Sequence, residues 1–175
     1  MTQGLFATLI IGTMIQQIGL LIGGSTGNVI YLLGKAAAAL TSAGIGVGVA
    51  VKYGESPLVT VSAAVAAMVG GYAGKITGGT FFVDGNAVLA GPGEPLGAFI
   101  AAFAGITCGH LVSGKTKVDI IVTPVITIGA GSVVGLLVGP PISQMMTGLG
   151  SIINWATEQR PFIMASLFRS SWVWF

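Results

Sequence analysis

Residues 120–157 read IIVTPVITIGAGSVVGLLVGPPISQMMTGLGSIINWAT, and no side chain in this stretch is formally charged. Four further uncharged runs precede it, at 4–34, 36–51, 56–74 and 95–109. A helix needs about 20 mostly apolar residues to cross about 30 Å of hydrocarbon. Long uncharged runs of this kind are typical of membrane-spanning helices.

The composition of the whole chain supports the same interpretation. Charged residues make up 7% of its 175 residues and hydrophobic residues 53%, and the mean hydropathy is +0.93. An ordinary soluble domain has about a quarter of charged residues, because water must solvate its surface. We therefore predict an all-α, polytopic transmembrane helical bundle with about five to six spans.

The predicted spans are apolar runs separated by polar or charged segments. They are Leu5–Gly23, Val29–Ala50, Pro57–Ala73, Leu96–Val112 and Val118–Val138. A sixth apolar segment begins near Ile163. Pro140 and Pro141 cannot donate backbone hydrogen bonds, so we expect them to end the fifth helix. The following segment, Ile142–Glu158, is predicted to form an interfacial or re-entrant helix.

The basic residues of the short loops predict an orientation. Lys52 follows the second span, and Lys115 and Lys117 follow the fourth, so both loops lie on one side of the membrane. The positive-inside rule makes that side cytoplasmic, together with the amino terminus. Lys35 lies inside the second run. If that span begins after Lys35, the segment Asn28–Gly34 would be irregular or re-entrant.

Small residues recur at intervals of four in three parts of the chain. The sets are Gly131, Gly135 and Gly139; Ala101, Gly105 and Gly109; and Gly70, Gly74 and Gly78. Residues four apart share one helix face, and small side chains allow membrane helices to approach closely. The pattern predicts tight bundle packing, with a sliding or rocking interface as the alternative.

Several classes of chemistry are excluded by what the sequence lacks. Cys108 is the single cysteine and His110 the single histidine, so there is no disulfide framework and no His/Cys cluster for a metal. No serine has an evident base near it, so we expect no catalytic residue and no cofactor. The net charge of +2 is small and scattered, which argues against nucleic-acid binding.

Polar residues within apolar runs are the candidates for substrate binding, because they are costly in lipid. Gln16 and Gln17 lie in the middle of the first span, and at least one amide must face the bundle. Interhelical hydrogen bonding and substrate contact are both open to them. His110 lies near the end of the fourth span, as a structural residue or a proton relay.

Two further candidates are associated with proline. Glu94 lies in the segment 91–97, GPGEPLG, directly before the fourth span. Its carboxylate could complement a helix dipole, or it could recognise a hydroxyl or handle a proton. Pro124 cannot donate a backbone hydrogen bond and is predicted to kink the fifth span, where a cavity could form.

Three motifs carry a resemblance to a known family. They are GKTKVDIIVTP at 114–124, GPPI at 139–142 and INWATEQRPF at 153–162. Over residues 1–164 the chain resembles the membrane permease (IIC) component of the bacterial phosphotransferase system, in its perfringolysin-regulator-like branch. The resemblance implies a multi-pass protein of the bacterial cell membrane that moves a sugar-like solute inward. Partner IIA and IIB proteins would phosphorylate the solute, and a homodimer is left open.

The last residues, 165–175, depart from the family pattern. They read ASLFRSSWVWF, whereas family members continue with glycine and an aliphatic span. One back-translation of this tail encodes such a span in a shifted frame, so we expect a frameshift near Met164. Residues 1–164 would then be the amino-terminal part of a IIC-like domain. Because transporter sites often lie between two halves of a fold, this half would have no complete site alone, and it would be inactive or would pair with a separate second fragment.

Two alternatives belong to other functional classes. A non-transporting membrane regulator or sensor predicts altered gene expression without altered flux. A small-solute transporter outside the phosphotransferase system predicts pH-dependent flux coupled through Glu94 or His110.

Overall fold

The computed structural model describes residues 2–83, 86–89, 91–115 and 117–159. The chain divides into two compact units, Met1–Ile142 and Ser143–Phe175. The sixth apolar segment expected near Ile163 and the tail 165–175 lie outside the described residues.

The described chain is almost entirely helical. Its helices are α1 (Thr2–Leu5), α2 (Ile11–Ile22), α3 (Gly24–Ala39), α4 (Thr41–Tyr53), α5 (Pro57–Gly71), α6 (Ala73–Thr77), α7 (Pro95–Val112) and α8 (Asp119–Gln159). A π-helical turn, Phe6–Ile10, joins α1 to α2. The strands β1 (Phe82–Val83) and β2 (Asn86–Ala87) pair in an antiparallel hairpin, which the sequence did not predict.

The prediction of an all-α, polytopic membrane protein is confirmed. Within the described residues, three helical segments are long and apolar enough to cross a membrane: Thr2–Ile22, Pro95–Val112 and Asp119–Trp155. The pair Gly24–Ala39 and Thr41–Tyr53 would add a fourth span if counted as one bent unit. Pro57–Gly71 is apolar but shorter. The predicted segments are therefore helical, although fewer than five meet the length of a full span.

The second predicted span, Val29–Ala50, is not one straight helix. It breaks at Leu40, where α3 and α4 meet at 50°. The buried Tyr72 hydroxyl lies 2.9 Å from the Ala39 carbonyl at this point. A distant side chain thus binds a carbonyl that the helix end leaves without an intrahelical partner. The irregular form of the Asn28–Gly34 alternative was wrong, because those residues are helical, and its re-entrant form stays a prediction.

The predicted helix end at Pro140 and Pro141 was also wrong. Helix α8 continues through both prolines and through Pro124. Each proline removes one backbone hydrogen bond, whereas ending the helix would leave four carbonyls without intrahelical partners. In a membrane the second cost is larger, since no water can satisfy those groups. The segment Ile142–Glu158 is therefore part of α8 and does not begin a separate helix.

The small residues pack helices α5, α7 and α8 of the first unit at close range. A Cβ added to Gly135 of α8 would lie 2.8 Å from the Gly70 Cα of α5. A Cβ on Gly131 would lie 2.7 Å from the Ala101 carbonyl oxygen of α7. These approaches agree with the predicted packing role. Gly78 is an exception, because the atoms nearest to its added Cβ belong to its own preceding turn.

Candidate functional site

The candidate residues Glu94 and His110 lie at opposite ends of α7. Glu94 occupies the N-cap position of this helix, and His110 lies in its last turn. At 1.5 Å per residue they are about 24 Å apart along the helix. We call the region around loop 91–94 the Glu94 end, and the region around the α4–α5 and α7–α8 turns the His110 end. One small solute cannot contact both residues at once.

Loop 91–94, which leads into α7, is bound to α4 and α5. The Ser42 hydroxyl of α4 donates to the Pro92 carbonyl at 3.0 Å. The Glu94 N–H donates to the carbonyl of Gly71, the last residue of α5, at 2.7 Å. The loop is therefore positioned by residues from two other helices.

Tyr72 connects the same loop to the end of α3. Its side chain is 1% exposed, and its hydroxyl lies within hydrogen-bond distance of both the Gly91 and the Ala39 carbonyls. The single hydroxyl proton can be donated to one carbonyl at a time. The Lys75 ammonium lies 5.3 Å from the centre of the Tyr72 ring, close enough for a cation–π interaction.

Gly93 is required for this close packing. Its φ of 72° lies in the left-handed region that favours glycine. A Cβ at this position would lie 2.6 Å from the Ser42 hydroxyl oxygen and 3.0 Å from the Gly71 carbonyl oxygen. The loop approaches α4 and α5 as closely as backbone atoms allow, which restricts its movement.

Glu94 is a partly buried residue at the N-cap of α7, yet its side chain makes no capping hydrogen bond. No hydrogen bond or ion pair links this carboxylate to any other residue that the structure describes. The expected position at a helix amino terminus is therefore present, but the capping bond is not. The Glu94 end thus holds a carboxylate on a well-anchored loop.

The His110 end contains a His110–Glu55 contact that the sequence did not predict. His110 Nδ1 lies 2.9 Å from Glu55 Oε1, and the two side chains are 70% and 7% exposed, respectively. The Ser56 and Ser113 hydroxyls lie 3.2 Å apart beside this pair. The sequence contains one indication of this contact. Glu55 lies in a loop that the predicted topology places on the same side of the membrane as His110.

The remaining candidates do not join Glu94 in a common cluster. The Gln16 amide donates to the carbonyls of Gly34 at 3.2 Å and Gly12 at 3.4 Å, so it is used between α2 and α3. Gln17 is exposed on α2. Pro124 lies in α8 close to its start at Asp119, and the kink expected there stays a prediction.

Replacing His110 with alanine should destabilise the His110 end. The Glu55 carboxylate would keep its near-complete burial and lose the imidazole that it contacts, and a buried charge left without a partner is costly. Because His110 is largely exposed, we expect a loss of only about 1 kcal/mol. Thermal unfolding of the purified variant in detergent would measure this change.

The matched variant for that experiment is Glu55→Gln combined with His110→Ala. Removing the charge that needs a partner should make the double variant more stable than His110→Ala alone. Equal or lower stability of the double variant would contradict a stabilising ion pair.

Comparison with known proteins identifies a family for the chain. The family model described as "Phosphotransferase system, EIIC" matches residues 1–173, which confirms the resemblance carried by the sequence motifs. Searches of curated proteins and of solved structures return no match.

Proposed function

We propose that this chain, which belongs to the phosphotransferase system EIIC family, binds its sugar through the carboxylate of Glu94. As an EIIC protein it is a membrane permease component of a sugar phosphotransferase system. The observation that supports the site is the unpaired carboxylate of Glu94, a partly buried residue on a loop anchored by Ser42, Gly71 and Tyr72.

A carboxylate in this setting suits hydroxyl recognition. An ionised carboxylate only accepts hydrogen bonds, and a sugar presents several hydroxyl donors. Charge-assisted hydrogen bonds are stronger than neutral ones. Because the loop is already held by three other residues, little conformational freedom would be lost when a sugar binds.

Membership of the family implies a sugar substrate and interaction with IIA and IIB components. We infer that the phosphoryl group comes from these partners and that they act at the His110 end. Lys52, Lys115 and Lys117 belong to that end and are exposed. Three ammonium groups would attract a phosphorylated partner by charge. The sugar would then pass from the Glu94 end toward the His110 end during transport.

Monodeoxy sugars test the proposed hydroxyl contact. A panel of sugars would first be screened for binding to the purified protein, and the best ligand then compared with its monodeoxy analogues. We expect one analogue to bind about 10- to 100-fold more weakly, the loss typical of a hydrogen bond to a charged group. In Glu94→Gln this analogue and its parent should bind alike. Equal binding of every analogue by the wild-type protein would refute the proposal.

The proposed direction of transport predicts an orientation in the bacterial plasma membrane. Contacts between the α4–α5 and α7–α8 turns support placing their lysines on one side, which the positive-inside rule makes cytoplasmic. In a Cys108→Ala background, a membrane-impermeant maleimide should label Ala87→Cys, an exposed position on the α5–α7 connection, in intact cells. It should label Lys115→Cys only after permeabilisation. The reverse pattern would contradict a cytoplasmic His110 end and amino terminus.

A further inference from the structure

A cavity of about 520 Å³ lies along one face of α3, near the bend between α3 and α4. The residues of α3 and its end that line it follow the i, i+3, i+4, i+7, i+8 pattern of one helix face: Leu32, Lys35, Ala36, Ala39 and Leu40. The opposite wall is Leu89, which follows β2. The cavity therefore lies between a membrane helix and the loop region of the Glu94 end.

The lining of this cavity is aliphatic except for one ammonium group, that of Lys35. Lys35 is exposed, and no ion pair joins it to a carboxylate within the described parts of the chain. A cation on an apolar membrane helix is costly unless it reaches a counter-charge or the headgroup region. Its long aliphatic stem allows the ammonium to extend toward that region.

A sugar fits this lining poorly, because its hydroxyls would find almost no hydrogen-bond partners among Leu32, Leu40 and Leu89. An amphiphile with an anionic head fits better. We propose that the cavity binds an anionic glycerophospholipid, with its phosphate at the Lys35 ammonium and an acyl chain against the leucines. Basic pockets beside membrane helices recognise anionic lipid headgroups by the same complementarity.

Such a lipid would support the bend that positions the sugar-binding loop. Ala39 lines the cavity, and its carbonyl lies 2.9 Å from the Tyr72 hydroxyl that also reaches loop 91–94. The lipid would therefore occupy the side of the α3–α4 bend next to this hydroxyl. It would be distinct from the sugar bound at Glu94.

Native mass spectrometry of the full chain in detergent, with added phosphatidylglycerol, tests the proposal. Lys35→Gln should bind this lipid about fivefold more weakly than the wild-type protein, the loss expected for one lysine near an anionic lipid. Lys52→Gln is the control, because it removes an exposed lysine that does not line the cavity. Ala36→Phe keeps all charges but fills the cavity, and it should also weaken binding.

The choice of ligand separates a lipid from other anions. Phosphatidylcholine should bind more weakly than phosphatidylglycerol, and excess inorganic phosphate should not displace the lipid. Displacement by phosphate would overturn the proposal in favour of a simple anion site. Equal phosphatidylglycerol binding by the wild-type protein, Lys35→Gln and Ala36→Phe would also overturn it.

Discussion

Replacing Glu94 with glutamine should reduce sugar affinity about 10- to 100-fold, because hydrogen bonds to a charged acceptor contribute about 1.5 to 3 kcal/mol. The amide keeps the size of the side chain but removes its charge and replaces one acceptor oxygen with a donor. Glu94→Asp keeps the charge and draws it back toward the loop, so we expect an intermediate loss. Sugar binding to the purified protein and uptake by cells would both be measured.

Glu94→Gln should fold normally, so its effect on sugar binding can be interpreted. The Glu94 carboxylate makes no capping bond to α7, and the anchor to Gly71 comes from the Glu94 backbone. Glu55→Gln is the matched control, since it removes a carboxylate at the His110 end and should leave sugar binding unchanged. A Glu94→Gln protein with wild-type affinity would rule out Glu94 as the sugar acceptor.

The largest expected loss of stability follows from Gly135→Ile in α8. A Cβ at Gly135 would lie 2.8 Å from the Gly70 Cα and 2.9 Å from the Ala101 Cβ. Much of this contact is with backbone, which cannot rotate away as a side chain can. Overpacking a close-packed interior costs about 1 to 3 kcal/mol, and we expect this variant at the upper end of that range.

Gly129→Ile provides the control on the same helix. A Cβ at Gly129 would meet no atom within 4 Å, and replacing glycine in a helix is favourable for the backbone. We expect Gly129→Ile to unfold at or above the wild-type temperature and Gly135→Ile well below it, as measured by size-exclusion chromatography after heating. Similar unfolding temperatures for the two variants would show that the α5–α8 approach is not tight.

The sequence predicted the helical segments better than their ends. Uncharged apolar runs located the helices, because hydropathy is a local property that adds along the chain. The break at Leu40 was missed, since the run AAAAL that precedes Thr41 has no glycine or proline to signal it. Pro140 and Pro141 gave the opposite error, because a local helix-breaking signal was outweighed by the need to satisfy backbone groups in a membrane.

For the candidate residues too, the sequence predicted local positions but not contacts between distant parts of the chain. Glu94 was recognised from its sequence as a carboxylate at a helix start, and the structure agrees with that position. The pairing of Glu55 with His110 was not predicted, and neither were the anchors from Ser42 and Tyr72. These contacts join residues far apart in the chain, for which periodicity and composition carry no signal.

Membrane class, helical content and family could thus be read from the order of residues, because few charges and long apolar runs are features of the chain itself. Tertiary structure alone brought Glu55 to His110, bent α3 against α4 and left the Glu94 carboxylate unpaired. The physical reason is that these features depend on which helices pack together. Distant glycines and hydroxyls meet only once the bundle has formed.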